Sequence, residues 1–335
     1  RYTLSCSMEI TPKAKIVNSD IYKAVINVKE RMNYTDVQKI LDKSDEKILK
    51  KYEKYIKDFE LMAELATILK NKRKENGYLN LDIPESKITL DENGFAIDVQ
   101  KYETYFSNEI IEQFMLAANE TVAEKFYWLQ APFIYRNHEA PDLDKVKDLN
   151  KVLYNFGYKI KISKEDIIYP NEFAKILDDV KGKETEKVVS NIILRTLRVA
   201  KYEAENKGHF GIASKYYCHF TSPIRRYPDL FIHRIISKYL ENDYMVNEFW
   251  IKKYEKRAEK RAENCSERER TATKVEREAE DIKKAEYMEN KIGEEYEGII
   301  SSITNFGIFV ELENTIEGLI RYVVDRKKKS IWLDC

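Results

Sequence analysis

The sequence predicts an α+β fold: a helix-rich part carrying antiparallel strands, followed by a short all-β segment. Three observations predict it. Residues Arg1 to Val28 alternate and are rich in Thr, Ser, Ile and Val, the period-two pattern of strands. Long stretches between Asp36 and Asn290 carry apolar residues at helical spacing. From Glu295 to Ile320 the pattern changes to short β-type runs, YEGIISSI, FGIFVEL and EGLIR.

Taken in order, Arg1 to Val28 supplies two or three strands. Asp36 to Lys74 reads as helical, with Leu61, Leu65 and Leu69 at four-residue steps and Asn76-Gly77 as the stop. Residues 81 to 99, LDIPESKITLDENGFAIDV, read as two strands around a turn at Asn93-Gly94. Asn108 opens a helix with Ile110, Ile111, Phe114, Leu116, Ala118, Val122 and Phe126 on its apolar side. Further helices are expected over Asp144 to Phe156, Asn171 to Val180 and Glu184 to Tyr202. Asn247 to Asn290 is the longest, dense in Lys, Arg and Glu. Its thin apolar stripe is Ala258, Ala262, Cys265, Ala272, Val275, Ala279 and Ile282. Periodicity ends at Gly293, which places a domain boundary near Ile292, between parts 1–291 and 292–335. No internal repeat of 20–50 residues is present.

Composition narrows the function classes. A chain of 335 residues suffices for two or three folding units. Its 43% apolar content supports a core and excludes wholesale disorder. Lys and Arg total 58 against 58 Asp and Glu, so a basic surface for a polyanion must be local. No apolar run approaches the ~20 residues of a membrane helix, so a soluble, cytoplasmic chain with no membrane partner is expected. Cys6, Cys218, Cys265 and Cys335 form no C-x-x-C pair and read as reduced thiols. The opening RYTLSCSMEI reads as a strand already under way, and RKKKSIWLDC follows an incomplete barrel pattern. The sequence is therefore expected to be a fragment, with the closing Lys run a solvated tail.

The sharpest segment is GHFGIASKYYCHFTSPIRRYPDLFIHRII, Gly208 to Ile236. Ser222-Pro223 is a turn into a helical start that Ser222 can cap. Pro228 restarts the helix with Asp229 in its first turn. Arg225 and Arg226 then sit on a rigid bend beside Tyr216, Tyr217, His219 and Phe220, a setting that suits phosphate contact and base stacking. Composition alone fits a helix cap with surface arginines equally well.

HFTSPIRRYPDL resembles the signature of the ribonuclease II / ribonuclease R family (RNB domain). GHFG at Gly208 to Gly211, MLAANETVAE at Met115 to Glu124 and RMNYTDVQKIL at Arg31 to Leu41 support the resemblance. Ile292 to Ile320 looks like the first strands of the S1-type OB fold that follows this domain in the family. The likeness covers essentially residues 1 to 320, and GHFG favours the ribonuclease R side. It implies an incomplete RNB domain followed by a truncated S1 fold. It also implies a processive 3′→5′ exoribonuclease that releases 5′-mononucleotides from single-stranded RNA using Mg²⁺, acting as a monomer.

By the same resemblance Arg225 stabilises the transition-state phosphate, the catalytic role. Arg226 supports the RNA backbone, with Ser222 beside it as a substrate contact. Tyr34 and Glu112 match the pair that distinguishes RNA from DNA, and Glu276 matches a glutamate near the RNA path. Leu81 stands where the family has a base-stacking Phe. The aspartates that bind Mg²⁺ are expected upstream of Arg1, so this chain supplies no metal ligand and is expected to be inactive alone. The alternative is a non-catalytic RNA-binding or scaffold protein with an RNB shell.

Several residues carry a second reading. Glu112 and Asn119 are seven apart on one helix face and want either a ligand or each other as buried partners. Asp142, Asp144 and Asp148, and Asp178-Asp179, suit helix ends better than a metal. His209 and His219 read as structural. Phe306 and Phe309 flank Gly307 as candidate stacking residues, with one of them required by alternation to face the core.

Overall fold

A computed structural model of the chain describes residues 1–81, 85–325 and 330–334. The opening alternation becomes an antiparallel hairpin of β1 (Tyr2–Ile10) and β2 (Ile16–Val25). The helical stretch that follows is three helices: α1 (Tyr34–Asp42), α2 (Glu46–Lys51) and α3 (Ile56–Asn76). Asn33 caps α1 by accepting from the Asp36 N–H at 2.7 Å. Gly77 ends α3 with φ 97°, and a Cβ there would lie 2.5 Å from Asn171 Oδ1. Of the three leucines spaced along α3, Leu69 is buried and Leu61 exposed. A four-residue step drifts about 40° around a helix, so the leucines do not stay on one face.

The hairpin of β3 (Ser86–Leu90) and β4 (Ala96–Lys101) forms around Asn93-Gly94. It leads to α4 (Phe106–Trp128), whose buried side includes Ile110, Gln113, Leu116, Asn119, Val122 and Phe126. Next come β5 (Tyr135–Asn137), α5 (Leu143–Leu153), α6 (Pro170–Val180) and α7 (Glu186–Thr196). The helix expected to reach Tyr202 stops at Thr196. Residues Lys201–Glu203 are a strand, β6, paired with β5. Ser266 Oγ accepts from the Tyr202 N–H at 2.8 Å and donates to its carbonyl at 3.1 Å, and these bonds hold the strand against the last long helix.

α8 (Tyr227–Glu241) and α9 (Glu248–Glu289) complete the helical part. The α9 stripe is packed only in its first half. Ala258 and Ala262 are buried and Cys265 half-buried, whereas Ala272, Val275, Ala279 and Ile282 face solvent. Beyond the core the helix reaches back to the β3–β4 hairpin through Glu286 and Lys283. Glu286 accepts from the Ala96 N–H at 2.9 Å, and Lys283 donates to the Gly94 carbonyl at 2.6 Å.

The all-β segment holds β7 (Gly298–Ile303), β8 (Gly307–Leu312), β9 (Glu317–Asp325) and β10 (Ser330–Asp334). They form one antiparallel meander in the order β10-β9-β8-β7. The expectation of about three strands is corrected here. The alternating RYVVD and SIWLD runs suit strands, and they pair from Asp334↔Arg321 to Ser330↔Asp325. The Lys run, Lys327 to Lys329, lies outside the described residues.

Two cores organise the helical part. One gathers Phe126, Phe133, Ile134, Ile232, Ile235 and Ala258; the other gathers Val146, Leu153, Phe173, Val189 and Ile193. The β-meander touches this body through Lys187–Glu311 at 2.8 Å and Ser86–Thr315 at 2.6 Å.

Candidate nucleic-acid interface

The segment from Tyr217 to Phe220, which leads into the bend, is laid against α4, and Asn119 holds it there. Asn119 Oδ1 accepts from the Phe220 N–H at 2.9 Å, its Nδ2 donates to Tyr217 Oη at 3.2 Å, and its carbonyl accepts from Cys218 Sγ at 3.3 Å. The Ser222 carbonyl accepts from the N–H groups of Arg225 at 3.3 Å and Arg226 at 3.1 Å, which closes the turn. Ser222 does not cap the helix. α8 begins at Tyr227, Arg226 occupies the N-cap position, and no side chain caps it.

Asp229 locks the turn from below. Its carboxylate is fully buried, and Oδ1 accepts from the Ser222 N–H at 2.7 Å and from the Arg226 guanidinium at 2.9 Å. Arg226 is thus committed to an internal ion pair. Arg225 is exposed and makes no ion pair among the described residues. The bend therefore presents one guanidinium and ties the other to a buried carboxylate.

GHFG wraps His138. The His138 N–H donates to the Gly208 carbonyl, the Phe210 N–H donates to the His138 carbonyl, and the Gly211 N–H donates to His138 Nδ1 at 3.1 Å. A Cβ on Gly211 would lie 2.9 Å from that Nδ1, so glycine is required for the close approach. Ring contacts continue from His138 through His209 and Tyr217 to His219, at centroid distances of 5.0, 5.2 and 5.6 Å. Burial pushes the His209 pKa down to about 3, with His138 adding to the effect. Burial and the nearby Arg226 push His219 down to about 2. Both rings are neutral at ordinary pH.

Tyr34 and Glu112 lie on neighbouring helices. Tyr34 is exposed at the start of α1, and its carbonyl accepts from Ser107 Oγ at 2.8 Å near the start of α4. Glu112 is exposed one turn further along α4 and accepts from Tyr78 Oη at 3.1 Å. Burial, helped by Glu112, raises the Tyr78 pKa, so this phenol stays a donor. Glu112 and Asn119 are therefore not a buried pair. Seven residues separate them by nearly two turns, and only Asn119 reaches the interior. Leu81 is half-buried beside the second core.

The remaining candidates lie apart. Glu276 sits on the solvent-facing half of α9. Seven residues earlier, Glu269 pairs with Arg136 at 2.5 Å. Phe306 is 54% exposed in the β7–β8 turn, and Phe309 is half-buried on β8. Their rings meet edge to face at 6.1 Å. Gly307 between them abuts β9, where a Cβ would lie 2.5 Å from the Ile320 carbonyl oxygen.

Among the described residues no group of three His, Cys, Asp or Glu could hold a metal ion. Asp142 pairs with Arg198, Asp144 with Lys147, Asp148 with Lys151, Asp178 with Lys74 and Asp179 with Lys183. Among the described residues no helix is long and apolar enough to cross a membrane.

Sequence reading missed Tyr78, Tyr202 and Arg136, because each acts through a partner distant in the chain. It placed Asp229 in the first turn of α8 but assigned it no partner.

The structure thus joins a helical body that presents one arginine on a locked bend to an antiparallel β-meander. The RNB domain family matches residues 1–242 and the S1 RNA binding domain matches residues 289–322. The chain belongs to the RNB domain family. It is 42% identical over 320 residues to ribonuclease R 1 of Lactococcus lactis, and 40% identical over 322 residues to ribonuclease R of Thermotoga maritima. Each alignment takes in 96% of this chain but only 39% and 45% of those proteins, so the chain spans less than half their length. Mycoplasma genitalium RNase R, solved in complex with ribose-methylated single-stranded RNA, matches 99% of this chain and 54% of that one. Its TM-score is 0.88 at 27% identity.

Proposed function

We propose that the protein to which this chain belongs is a 3′→5′ exoribonuclease of the ribonuclease R type, acting on single-stranded RNA and releasing 5′-mononucleotides. Residues 1–291 are the C-terminal portion of its catalytic domain, and 292–335 begin an S1-type domain. A cytoplasmic monomer is the accompanying expectation. The observation that carries this reading is the bend at 222–226, which leaves Arg225 exposed while Asp229 binds the neighbouring Arg226.

Arg225 is assigned to the scissile phosphate, where a preformed guanidinium favours developing charge over the ground state. Ser222 and Arg226 shape that bend. Tyr34 and Glu112 are assigned to the ribose 2′-OH, and Glu276, Phe306 and Phe309 to the path of the strand. The family implies Mg²⁺, but the donors here do not fit it: the acidic side chains of α5 and α6 are held by Arg and Lys partners. No step is routed through a metal on this chain. The same observation favours the second reading for the polypeptide by itself, an RNA-binding body without turnover.

The test uses the purified chain with labelled oligo-RNA and Mg²⁺. Binding without mononucleotide release is expected. Release that EDTA abolishes overturns the inactivity, and absence of binding overturns the RNA assignment.

A further inference from the structure

His219 stands three residues before Ser222, on the segment that carries the bend. Its Nδ1 lies 2.8 Å from Tyr202 Oη. Tyr202 is buried, and His219 is the only hydrogen-bond partner of its hydroxyl among the described residues. If Nδ1 carried the proton, the Tyr202 hydroxyl would accept and its own proton would be buried without an acceptor. The satisfied arrangement has Tyr202 donating to Nδ1, which puts the ring proton on Nε2. Burial raises the Tyr202 pKa, so that donor is retained. Nε2 has no hydrogen-bond partner among the described residues and is not sealed from solvent.

The charge around this ring is one-sided. The guanidiniums of Arg136, Arg225 and Arg226 all act on it. Glu269 pairs with Arg136 and Asp229 with Arg226. Arg225 is left as the guanidinium without a carboxylate partner among the described residues. A fourth cation here would be repelled, whereas an anion would meet one free guanidinium and one neutral N–H.

We infer that His219, through Nε2–H, is a neutral hydrogen-bond donor to the phosphodiester held at Arg225, with Tyr202 as its positioning residue. This rests on the RNA-binding reading above. A neutral donor adds a directed bond to a phosphate oxygen and moves no proton. It reads phosphate and not sugar, so its contribution is the same on RNA and DNA.

The test is a titration of the ¹⁵N-labelled full chain with single-stranded RNA of about ten nucleotides and with the matching DNA, following the histidine ring nitrogens by NMR. Expected at neutral pH is a proton on His219 Nε2 whose resonance moves when RNA is added. His219→Phe, which keeps the ring packing and removes the donor, weakens binding of both strands by about tenfold, the worth of one hydrogen bond to a charged group. His219→Gln, which keeps an N–H near the same place, restores most of it. Tyr202→Phe gives mixed tautomers and an intermediate loss.

A proton on Nδ1 in the wild type overturns the inference. So does an unmoved resonance in the RNA-bound chain, or full affinity for both strands in His219→Phe. These three outcomes leave the RNA reading standing. A wild-type chain that binds neither strand overturns both.

Discussion

The side-chain carbonyl of Asn119, midway along α4, accepts the backbone N–H of Phe220 at 2.9 Å. Both residues are buried, so a helix laid down a hundred residues earlier sets where the arginine-bearing bend begins. Asn119→Ala would leave that N–H and the Tyr217 hydroxyl without their partner, at a cost of about 1–3 kcal/mol for each buried group. Urea unfolding should show a loss in that range or above it. A change below about 0.5 kcal/mol, the level of a neutral surface substitution, would show that Asn119 does not anchor the segment.

Arg225 and Arg226 should separate cleanly. Arg225→Ala removes an exposed side chain and should leave stability within about 0.5 kcal/mol. In the full-length protein it should lower kcat by ~10²–10³-fold with little change in RNA affinity. Arg226→Ala strips the buried Asp229 of its charged partner and should cost about 3–5 kcal/mol of stability. Paired thermal melts and single-turnover kinetics check both. Equal melts, or an Arg225→Ala variant with full turnover, would contradict the assignment.

Tyr34→Ala and Glu112→Ala in the full-length protein should narrow the preference for RNA over DNA more than they slow RNA cleavage. Deoxyribose cannot return the hydrogen bonds offered to a 2′-OH, and deleting the polar groups removes that penalty. RNA itself should lose roughly 0.5–1.5 kcal/mol for each neutral bond. Cleavage of matched RNA, DNA and chimeras with one deoxynucleotide near the 3′ end measures the ratio. An unchanged ratio in both variants would make Glu112 a structural acceptor for Tyr78 and nothing more.

Acid should destabilise the chain through its histidines. The pKa values of His138, His209, His219 and His233 are all depressed, with burial the leading cause for each. Below the unfolded value near 6.5 the unfolded chain binds protons that the folded chain refuses, so stability falls as pH falls. For His209 and His219 the loss continues down toward their folded values of about 3 and about 2. Each contributes a slope of about 1.4 kcal/mol per pH unit within its window. Urea unfolding at pH values from 7 down to 5 should show that fall, and His219→Phe should make it shallower. A flat profile would mean that the rings are hydrated.

Much of the local structure was legible in the chain. Asn76-Gly77, Asn93-Gly94 and Asn247 each mark a boundary that the fold uses, because caps and turns are satisfied by residues a few positions away. The HFTSPIRRYPDL run likewise announced a rigid bend with two arginines. Partners distant in sequence were not legible. Arg226 and Asp229 are only three residues apart, yet it is the burial of Asp229 in the packed fold that commits one arginine and leaves the other exposed. The stripe on α9 reads as continuous to Ile282, yet only its first half meets a core.

By itself, then, the sequence determined most of the helices, the two hairpins, the position of the bend and the residue types available there, since those depend on backbone propensity and spacing. The tertiary structure alone decided that Asn119 and not Glu112 is buried, that Tyr202 reaches His219, and that Tyr78 meets Glu112. The contacts involved join residues 17, 34 and 101 positions apart, and a buried polar atom can be satisfied only by whatever the packed fold brings within about 3 Å of it.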